Sequence, residues 1–512
     1  MGSDDTKKSF SLLTGNCNLK MMGKPSRHRF PKQIWFGFLI LLLFFANCQK
    51  PAQMTTQSEE ALLSLQQGDQ LRLRFDLTNA LEAYQKAIRS DPQFAIAYLR
   101  SADMQISLGH ADSAKIYLTR ARELSRHSSD YERWIIQYAW AEFRQDNLLS
   151  QATFDTLSRR FPNDLQVKQY WAYRQWNKND FKGAIQTFQE ILKQQPNYII
   201  AYNNIGYLYA KRGLLKEALV YLKKYKDFAP DQLNPYDSVA EIYLLIGRYQ
   251  EAIQIIEAAF SAKPDELRHN RYLGTVMHLR LAEAYIRLGH YSKALEITQE
   301  LCDTYLMSQP VKQVAAFRFK QIFKSLHQPD KMKSELDCLL PLCDDIEKLY
   351  YQCLYAIENS DLPTALYIIS SIQTKSKTEE VYYKKHAILV MSACLEGQLN
   401  YKNAMYQEAA DQFALAAATI GDTSLAIPYR FEQYQALGQA GKYTQAIKGL
   451  SKLLSINPNY APALLCISEF YAVSGFKPEA RTYLAHFRTL WKDADPDTPL
   501  VIRADELTRR LF

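Results

Sequence analysis

Small and large apolar residues recur along the middle of the chain with a period of 34 residues. Tyr202, Gly206, Tyr209, Gly213, Ala218 and Leu222 are followed one period later by Tyr236, Ala240, Tyr243, Gly247, Ala252 and Ile256. A shorter version, Ala172, Asn179, Ala184 and Phe188, comes one period earlier. Pro162, Pro196, Pro230 and Pro264 keep the same spacing. A fixed period of this length predicts stacked helix–turn–helix units. Gly206, Ala218, Ala240 and Ala252 let two helices approach closely. Tyr209, Tyr243, Leu222 and Ile256 fill the layers between them. Gly213 and Gly247 fall where a first helix ends, a position that calls for positive φ. Each proline ends a second helix, which it cannot continue.

This order of residues resembles the tetratricopeptide repeat (TPR). The resemblance implies an all-α fold, a right-handed solenoid of stacked antiparallel helix pairs, each packed on its neighbours. The same grammar returns at Gly109 and Ala114, Gly289 and Ala294, Gly441 and Ala446, and Gly475 and Ala480. Ser90 to Pro92 and Asn457 to Asn459 read as repeat ends. About eight repeats follow the pattern closely and up to about twelve are expected, from near Glu59 to near Leu490. Gln309 to Asn400 keeps helical spacing but loses the TPR positions. Arg268 to Thr275 and Asn400 to Met405 read as loops longer than a standard repeat allows. The expected organisation is a leader and signal peptide over 1–47 and a linker over 48–58. An N-terminal TPR array over 59–266 and degenerate TPR-like repeats over 267–424 follow. C-terminal TPR repeats over 425–499 and a capping helix over 500–512 complete the chain.

The N-terminus carries a second pattern. Lys24, Arg27, Arg29 and Lys32 precede an uncharged run from Ile34 to Phe45, and Ala46 and Asn47 lead to Cys48. A basic start, a short apolar run and a small-residue exit make a secretory signal peptide. The run is shorter than the ~20 residues a spanning helix needs. A single-pass N-terminal membrane anchor is the alternative. Cys48 resembles the lipobox cysteine of bacterial lipoproteins, which is lipidated and becomes the first residue after cleavage. Phe45 and Asn47 depart from its commonest form. The resemblance implies lipidation at Cys48 and anchoring in the cell envelope, on the periplasmic side of an outer membrane. A start at Met21 or Met22 gives a leader of normal length, so Met1 reads as an over-extended start. Met1 to Thr6 fits the short N-myristoylation pattern, but a secretory leader follows it, and we read it as a chance match.

Charge changes little once the leader is set aside. Residues 1–47 hold seven of the 62 Lys and Arg and two of the 54 Asp and Glu, leaving 55 against 52, a net charge of +3 rather than +8. That balance gives no basis for nucleic-acid binding. At 512 residues the chain exceeds what one compact core supports, whereas a solenoid grows by nearest-neighbour packing. Beyond Cys17 and Cys48, six cysteines are scattered over the array (Cys302, Cys338, Cys343, Cys353, Cys394 and Cys466) and read as small core residues. Cys338 and Cys343 are close enough in sequence to pair across a helix end.

Catalytic and metal motifs are not found. Gly438 to Thr444 has too short a glycine spacing for a phosphate-binding loop and puts Tyr443 in its Ser/Thr slot, so Gly441 reads as a repeat turn. No H-E-x-x-H occurs, and Cys338, Cys343 and Cys353 lack metal-ligand spacing. Asp493, Asp495 and Asp497 offer alternating carboxylates, read as a helix end followed by Asp497 capping the last helix. No cofactor and no metal are expected, and the chain is read as a non-enzyme.

In the TPR fold the first helix of each repeat lines the concave face. The resemblance places Gln169, Tyr173, Trp176 and Asn177 there, then Asn203, Tyr207 and Lys211, then Asp237 and Glu241. Of these, Tyr173, Trp176, Asn203, Tyr207 and Lys211 are the candidate partner-binding residues, since aromatics with amides suit peptide binding. The carboxylate clamp of chaperone-binding TPR domains is absent. Asn204 matches one position, but Gln169, Tyr173, Asn234 and Ser238 occupy the others. The expected function is a non-enzymatic scaffold, an envelope-anchored TPR lipoprotein that binds proteins or peptides. The alternatives are a glycan-binding TPR lipoprotein and a sensor module acting with a separate output protein. A third is an enzyme with its site between Gln309 and Asn400, which a cluster of buried polar residues there would favour.

Overall fold

The computed structural model describes residues 54–304, 310–379, 382–421 and 426–512. Met54–Phe512 forms one compact unit. Cys48 and the leader lie outside the described residues. The described chain is 81% helical, has no strands and stacks 26 helices in pairs, which makes the fold all-α.

Twelve helix pairs follow one another, from Glu59–Leu73 with Leu77–Ser90 to Ala461–Val473 with Lys477–Leu490. These ends agree with the limits read near Glu59 and Leu490. Each pair turns on one left-handed residue. Glycine takes it at Gly109, Gly213, Gly247, Gly289, Gly441 and Gly475, and Phe75, Gln145, Asn179, His327, Ser360 and Ala404 take it elsewhere. The left-handed conformation costs a residue with a Cβ roughly 1–2 kcal/mol, so the pairing geometry overrides local preference at half the turns. Polar N-caps start many helices. Asp146, Asp164, Asp180 and Asp361 accept from backbone N–H groups of the first turn. Ser129 with Glu132 and Asp344 with Glu347 form full capping boxes.

The small positions do what their size implies. Ala218 and Ala252 are fully buried. A Cβ at Gly206 would lie 2.5 Å from Leu222 Cδ2, so only glycine admits that leucine. The tyrosines at the head of each period have a further role. Tyr202 OH donates to Pro196 O at 3.0 Å, Tyr236 OH to Pro230 O at 3.1 Å and Tyr98 OH to Pro92 O at 3.3 Å. Each ties the loop before its helix to the helix itself.

Several details differ from the sequence reading. Arg268 to Thr275 is not a loop. Pro264–His269 is a short helix, begun rather than blocked by its proline, and Arg271–Arg287 is a lengthened first helix. Proline is well placed at a helix start, where its missing N–H has no partner to lose. Asn400 to Lys402 belong to the 21-residue helix Tyr382–Lys402, and a short turn at Ala404 follows. The last helix, Pro499–Leu511, has Thr498 as its N-cap without a side-chain bond, so Asp497 does not cap it. Tyr209 is only half-buried, stacked on Tyr221 at 5.5 Å, whereas Tyr243 is buried as expected. Cys343, Cys353, Cys394 and Cys466 are buried, but Cys338 is exposed, and all six described cysteines are free thiols.

The array also touches itself at long range. Near residue 247 and again near 289, loops of the last repeats lie against turns some 200 positions earlier. Tyr249 OH donates to Asn457 Oδ1 at 3.2 Å, Asn457 Nδ2 to Leu244 O at 3.3 Å and Asn459 Nδ2 to Gly247 O at 2.9 Å. Trp491 Nε1 donates to Arg287 O at 2.9 Å, Asp495 N–H to Gly289 O at 3.0 Å, and Ser292 N–H to Asp495 Oδ2 at 2.7 Å. The acidic tail residue Asp495 therefore serves the start of the Tyr291–Thr304 helix. Arg287 adds its guanidinium over the Tyr460 ring at 5.4 Å. Earlier in the chain Arg74 Nη2 pairs with Asp231 Oδ2 at 2.6 Å, and Asn270 Nδ2 donates to Arg74 O at 3.4 Å. The largest core cluster runs from Ala210 to Leu511 without a break at 266 or 424.

Candidate functional site

The face made by consecutive first helices carries two polar assemblies. The first begins on Leu165–Asn177 and Ile199–Lys211. Tyr173 OH accepts from Gln169 Nε2 at 2.8 Å and from Asn204 Nδ2 at 3.1 Å. Its ring lies 6.5 Å from that of Trp176, and Lys211 Nζ sits 5.9 Å from the Trp176 ring centre. All three side chains are half-buried.

Asn203 and Tyr207, also half-buried, reach to the next first helix, Asn234–Leu245. Tyr207 OH donates to Glu241 Oε2 at 2.9 Å and lies 3.3 Å from Ser238 Oγ. Ser238 Oγ in turn donates to Asn203 Oδ1 at 3.3 Å. Arg280 completes the chain. Its Nε meets Asp237 Oδ1 at 2.6 Å and its Nη2 meets Asp237 Oδ2 at 3.1 Å and Glu241 Oε2 at 3.3 Å. Burial pushes the Tyr207 phenol well above its ordinary range, with Glu241 adding to it, so the phenol stays a donor. Burial also raises the Glu241 carboxyl, against the pull of Arg280. Burial works against the Arg280 charge, but Asp237 and Glu241 hold its proton more firmly than usual.

The five candidate residues thus fall into two neighbouring groups, Tyr173 with Trp176 and Lys211, and Asn203 with Tyr207. Arg280 escaped the sequence reading. It lies 43 residues after Asp237 and 39 after Glu241, because the helix at 264–269 breaks the 34-residue register.

The second assembly lies on the first helices of the eighth to eleventh pairs, reaching from the stretch where the repeat pattern fades into the repeats that follow it. It contains Lys320, Lys324, Tyr350, Cys394, Gln398, Tyr429 and Glu432. Lys324 Nζ reaches across to Gln398 Oε1 at 2.9 Å, and Gln398 Nε2 donates to Cys394 Sγ at 3.4 Å. Lys320 Nζ sits 5.6 Å from the Tyr350 ring centre. Burial raises the Cys394 thiol and the Tyr429 phenol to about 12, lowers the Lys320 ammonium and raises the Glu432 carboxyl.

A cleft of about 600 Å³ lies between the third and fourth pairs. Trp171, 42% exposed, stacks there on buried Phe154 at 5.5 Å, with Gln151, Lys168 and Glu190 on the rim. Trp176 and Tyr207 keep partial exposure on the first-helix face, so the Trp171–Phe154 pair does not displace them as candidates. Among the described residues no group of three or more His, Cys, Asp or Glu is placed to hold a metal, and no helix is long and apolar enough to cross a membrane.

Three family models, each described as a tetratricopeptide repeat, match residues 171–232, 234–266 and 277–305. No curated protein sequence aligns with the chain significantly. Among solved structures the chain is similar to the APC/C hetero-tetramer Cut9-Hcn1, at 13% identity and TM-score 0.32, over 89% of this chain and 96% of that one. It is similar to the P58(IPK) TPR domain at 14% identity and TM-score 0.21, over 88% and 98%. It is also similar to PilW, a widely conserved type IV pilus biogenesis factor, at 18% identity and TM-score 0.27, over 50% and 98%. At such identities and scores none of these bears on function.

Proposed function

We propose, from the premise that this chain is an array of tetratricopeptide repeats, that it is a non-enzymatic scaffold holding protein or peptide partners on its concave face. One observation carries this reading. Tyr173, Trp176 and Lys211 form a half-buried aromatic and cationic surface beside the Asn203–Ser238–Tyr207–Glu241–Arg280–Asp237 chain of hydrogen bonds and ion pairs. Rigid aromatic surface next to fixed donors and acceptors is what an extended backbone needs. A pool of random, N-acetylated, C-terminally amidated decapeptides passed over the immobilised full chain tests it. Trp176→Ala is expected to lower peptide retention about 30-fold, equivalent to ~2 kcal/mol, with an unchanged melting curve. Retention unaffected by that change sinks the assignment.

The second assembly supports binding better than catalysis. It is the buried polar cluster that an enzyme would need. However, burial raises the Cys394 thiol to about 12, and its sulfur accepts from Gln398 Nε2. A thiol that keeps its proton is a poor nucleophile.

The envelope address rests on the Lys24 to Cys48 sequence alone. Lipidation of Cys48 would tether the array to a membrane, and Cys48→Ala would release it. An intact, unlipidated N-terminus in the mass spectrum of native protein would refute that part and leave the scaffold reading standing.

A further inference from the structure

The second assembly combines satisfied groups with groups that have no partner. Lys324, Gln398 and Cys394 are linked by hydrogen bonds. Lys320 makes none with them. Among the described residues no oxygen accepts a hydrogen bond from its Nζ, which has only the Tyr350 ring beneath it. Glu432 Oε2 is buried and receives no donor. The Tyr350 and Tyr429 hydroxyls, on neighbouring first helices, also lack partners among the described residues. Of these four groups Glu432 Oε2 is the one shut off from water, while half-buried Lys320 and the two phenols reach solvent. Leaving a buried carboxylate oxygen unmet is costly, and native chains rarely keep such a group without a use.

The backbone supplies a second, independent sign. Lys320 lies in a π-helical turn, Arg318–Phe323, that ends the first helix begun at Pro310. Such turns are rare, weaken the local hydrogen-bond ladder and concentrate at functional sites. The turn sets Lys320 beside Tyr350, on the next first helix.

We propose that these four groups form a subsite for an acidic side chain of an extended peptide, with Lys320 taking the carboxylate and Glu432 accepting a flanking backbone N–H. The inference rests on the groove reading given above and names the chemistry of its partner. Charge decides between occupants. Lys324 acts on the Glu432 carboxyl while Lys320 has no acceptor, so an anionic acceptor fits Lys320 better than a neutral one, and a charge-assisted bond is about twice as strong as a neutral bond. Burial lowers the Lys320 ammonium and raises the Glu432 carboxyl, so each gains from a hydrogen-bonding partner.

The same amidated decapeptide pool provides the test, since it carries no C-terminal carboxylate and any acidic selection comes from side chains. Peptides retained by the full chain are expected to be enriched in Asp and Glu about threefold or more over the input. Lys320→Met should abolish the enrichment, and Glu432→Gln, which removes the competing charge but keeps an acceptor, should increase it. Should Lys320→Met fail to fold by circular dichroism, the Glu432→Gln result decides alone. No acidic enrichment in the wild type, enrichment that survives Lys320→Met, or a fall in Glu432→Gln overturns the subsite. Retention that depends on Trp176 but shows no acidic preference leaves the groove reading intact and removes only this one. A chain that retains no peptide removes both.

Discussion

Replacing Gly289 by alanine should hurt far more than replacing Gly441, although both end a first helix with positive φ, +87° and +77°. The conformational cost is the same at both sites, roughly 1–2 kcal/mol. Surroundings differ. Nothing lies within 4 Å of a Cβ built at Gly441, whereas at Gly289 it meets Ala494 Cβ at 2.5 Å and the Trp491 ring at 3.0 Å. Carbon atoms are comfortable near 3.5–4.0 Å, so the overlap is about 1 Å and overpacking adds roughly 1–3 kcal/mol. Detaching the Trp491–Asp495 loop instead would forfeit three hydrogen bonds, Trp491 to Arg287, Asp495 to Gly289 and Ser292 to Asp495. At about 1 kcal/mol each, that route costs a similar amount. Gly289→Ala is therefore expected to lose roughly 1–3 kcal/mol more than Gly441→Ala. Repeat arrays do not unfold in a single step, so hydrogen exchange is the better assay. Gly289→Ala should lose protection both in the Tyr291–Thr304 helix and in the distant Lys477–Leu490 helix, while Gly441→Ala should disturb only its own pair. Equal losses from the two substitutions, or loss confined to residues 271–304, would show that the long-range contact does not hold the array.

Other outcomes follow from the packing and the turns. Ala252→Leu, at a fully buried helix contact, should cost roughly 1–3 kcal/mol and lower exchange protection in neighbouring repeats. An unchanged denaturation profile would contradict that contact. Tyr202→Phe removes the donor to Pro196 O and should cost about 1 kcal/mol in urea titration. Ala404→Gly relieves a left-handed alanine at φ 57° and should stabilise by about 0.5–1 kcal/mol, the relief being partly offset by glycine's entropy. Among the described thiols, Cys338 should react first with Ellman's reagent at pH 8. Cys353 and Cys394, which burial pushes up to about 12, should stay protonated there and react only after denaturant is added.

What the sequence disclosed was the part that is local and periodic. Gly213, Gly247, Ala218 and Ala252 announce their roles because each recurs at a fixed offset, and their sizes admit one explanation. Five of the left-handed turns were illegible, since Phe75, Gln145, His327, Ser360 and Ala404 hold no place in the periodic pattern, whereas Asn179 sits one period before Gly213 and is a residue that tolerates αL. Asn457, Asn459 and Asp495 carried a satisfactory local meaning as loop residues, which concealed partners more than 200 positions away. Within the candidate site, Asn203, Tyr207, Asp237 and Glu241 could be placed by register. Arg280 could not, being past the point where the register shifts. For the assembly around Lys320 the fading of the TPR pattern was the only trace, and periodicity cannot foretell a π-helical turn.

The long-range contacts also impose an order of events on the chain as it is made. A solenoid bonded only to its neighbours can consolidate from the N-terminus while the rest is still being synthesised. Here the turns at Gly247 and Gly289 cannot acquire their partners until Asn457 and Trp491 have emerged. At 5–20 residues per second, some 200 residues take roughly 10–40 s. Through that interval the Leu244 and Arg287 carbonyls and the Tyr249 ring must face water or a chaperone. A chain truncated before Asn457 would keep most of its repeats and leave that seam permanently open, so about the last ninth of the sequence completes a surface built in the middle.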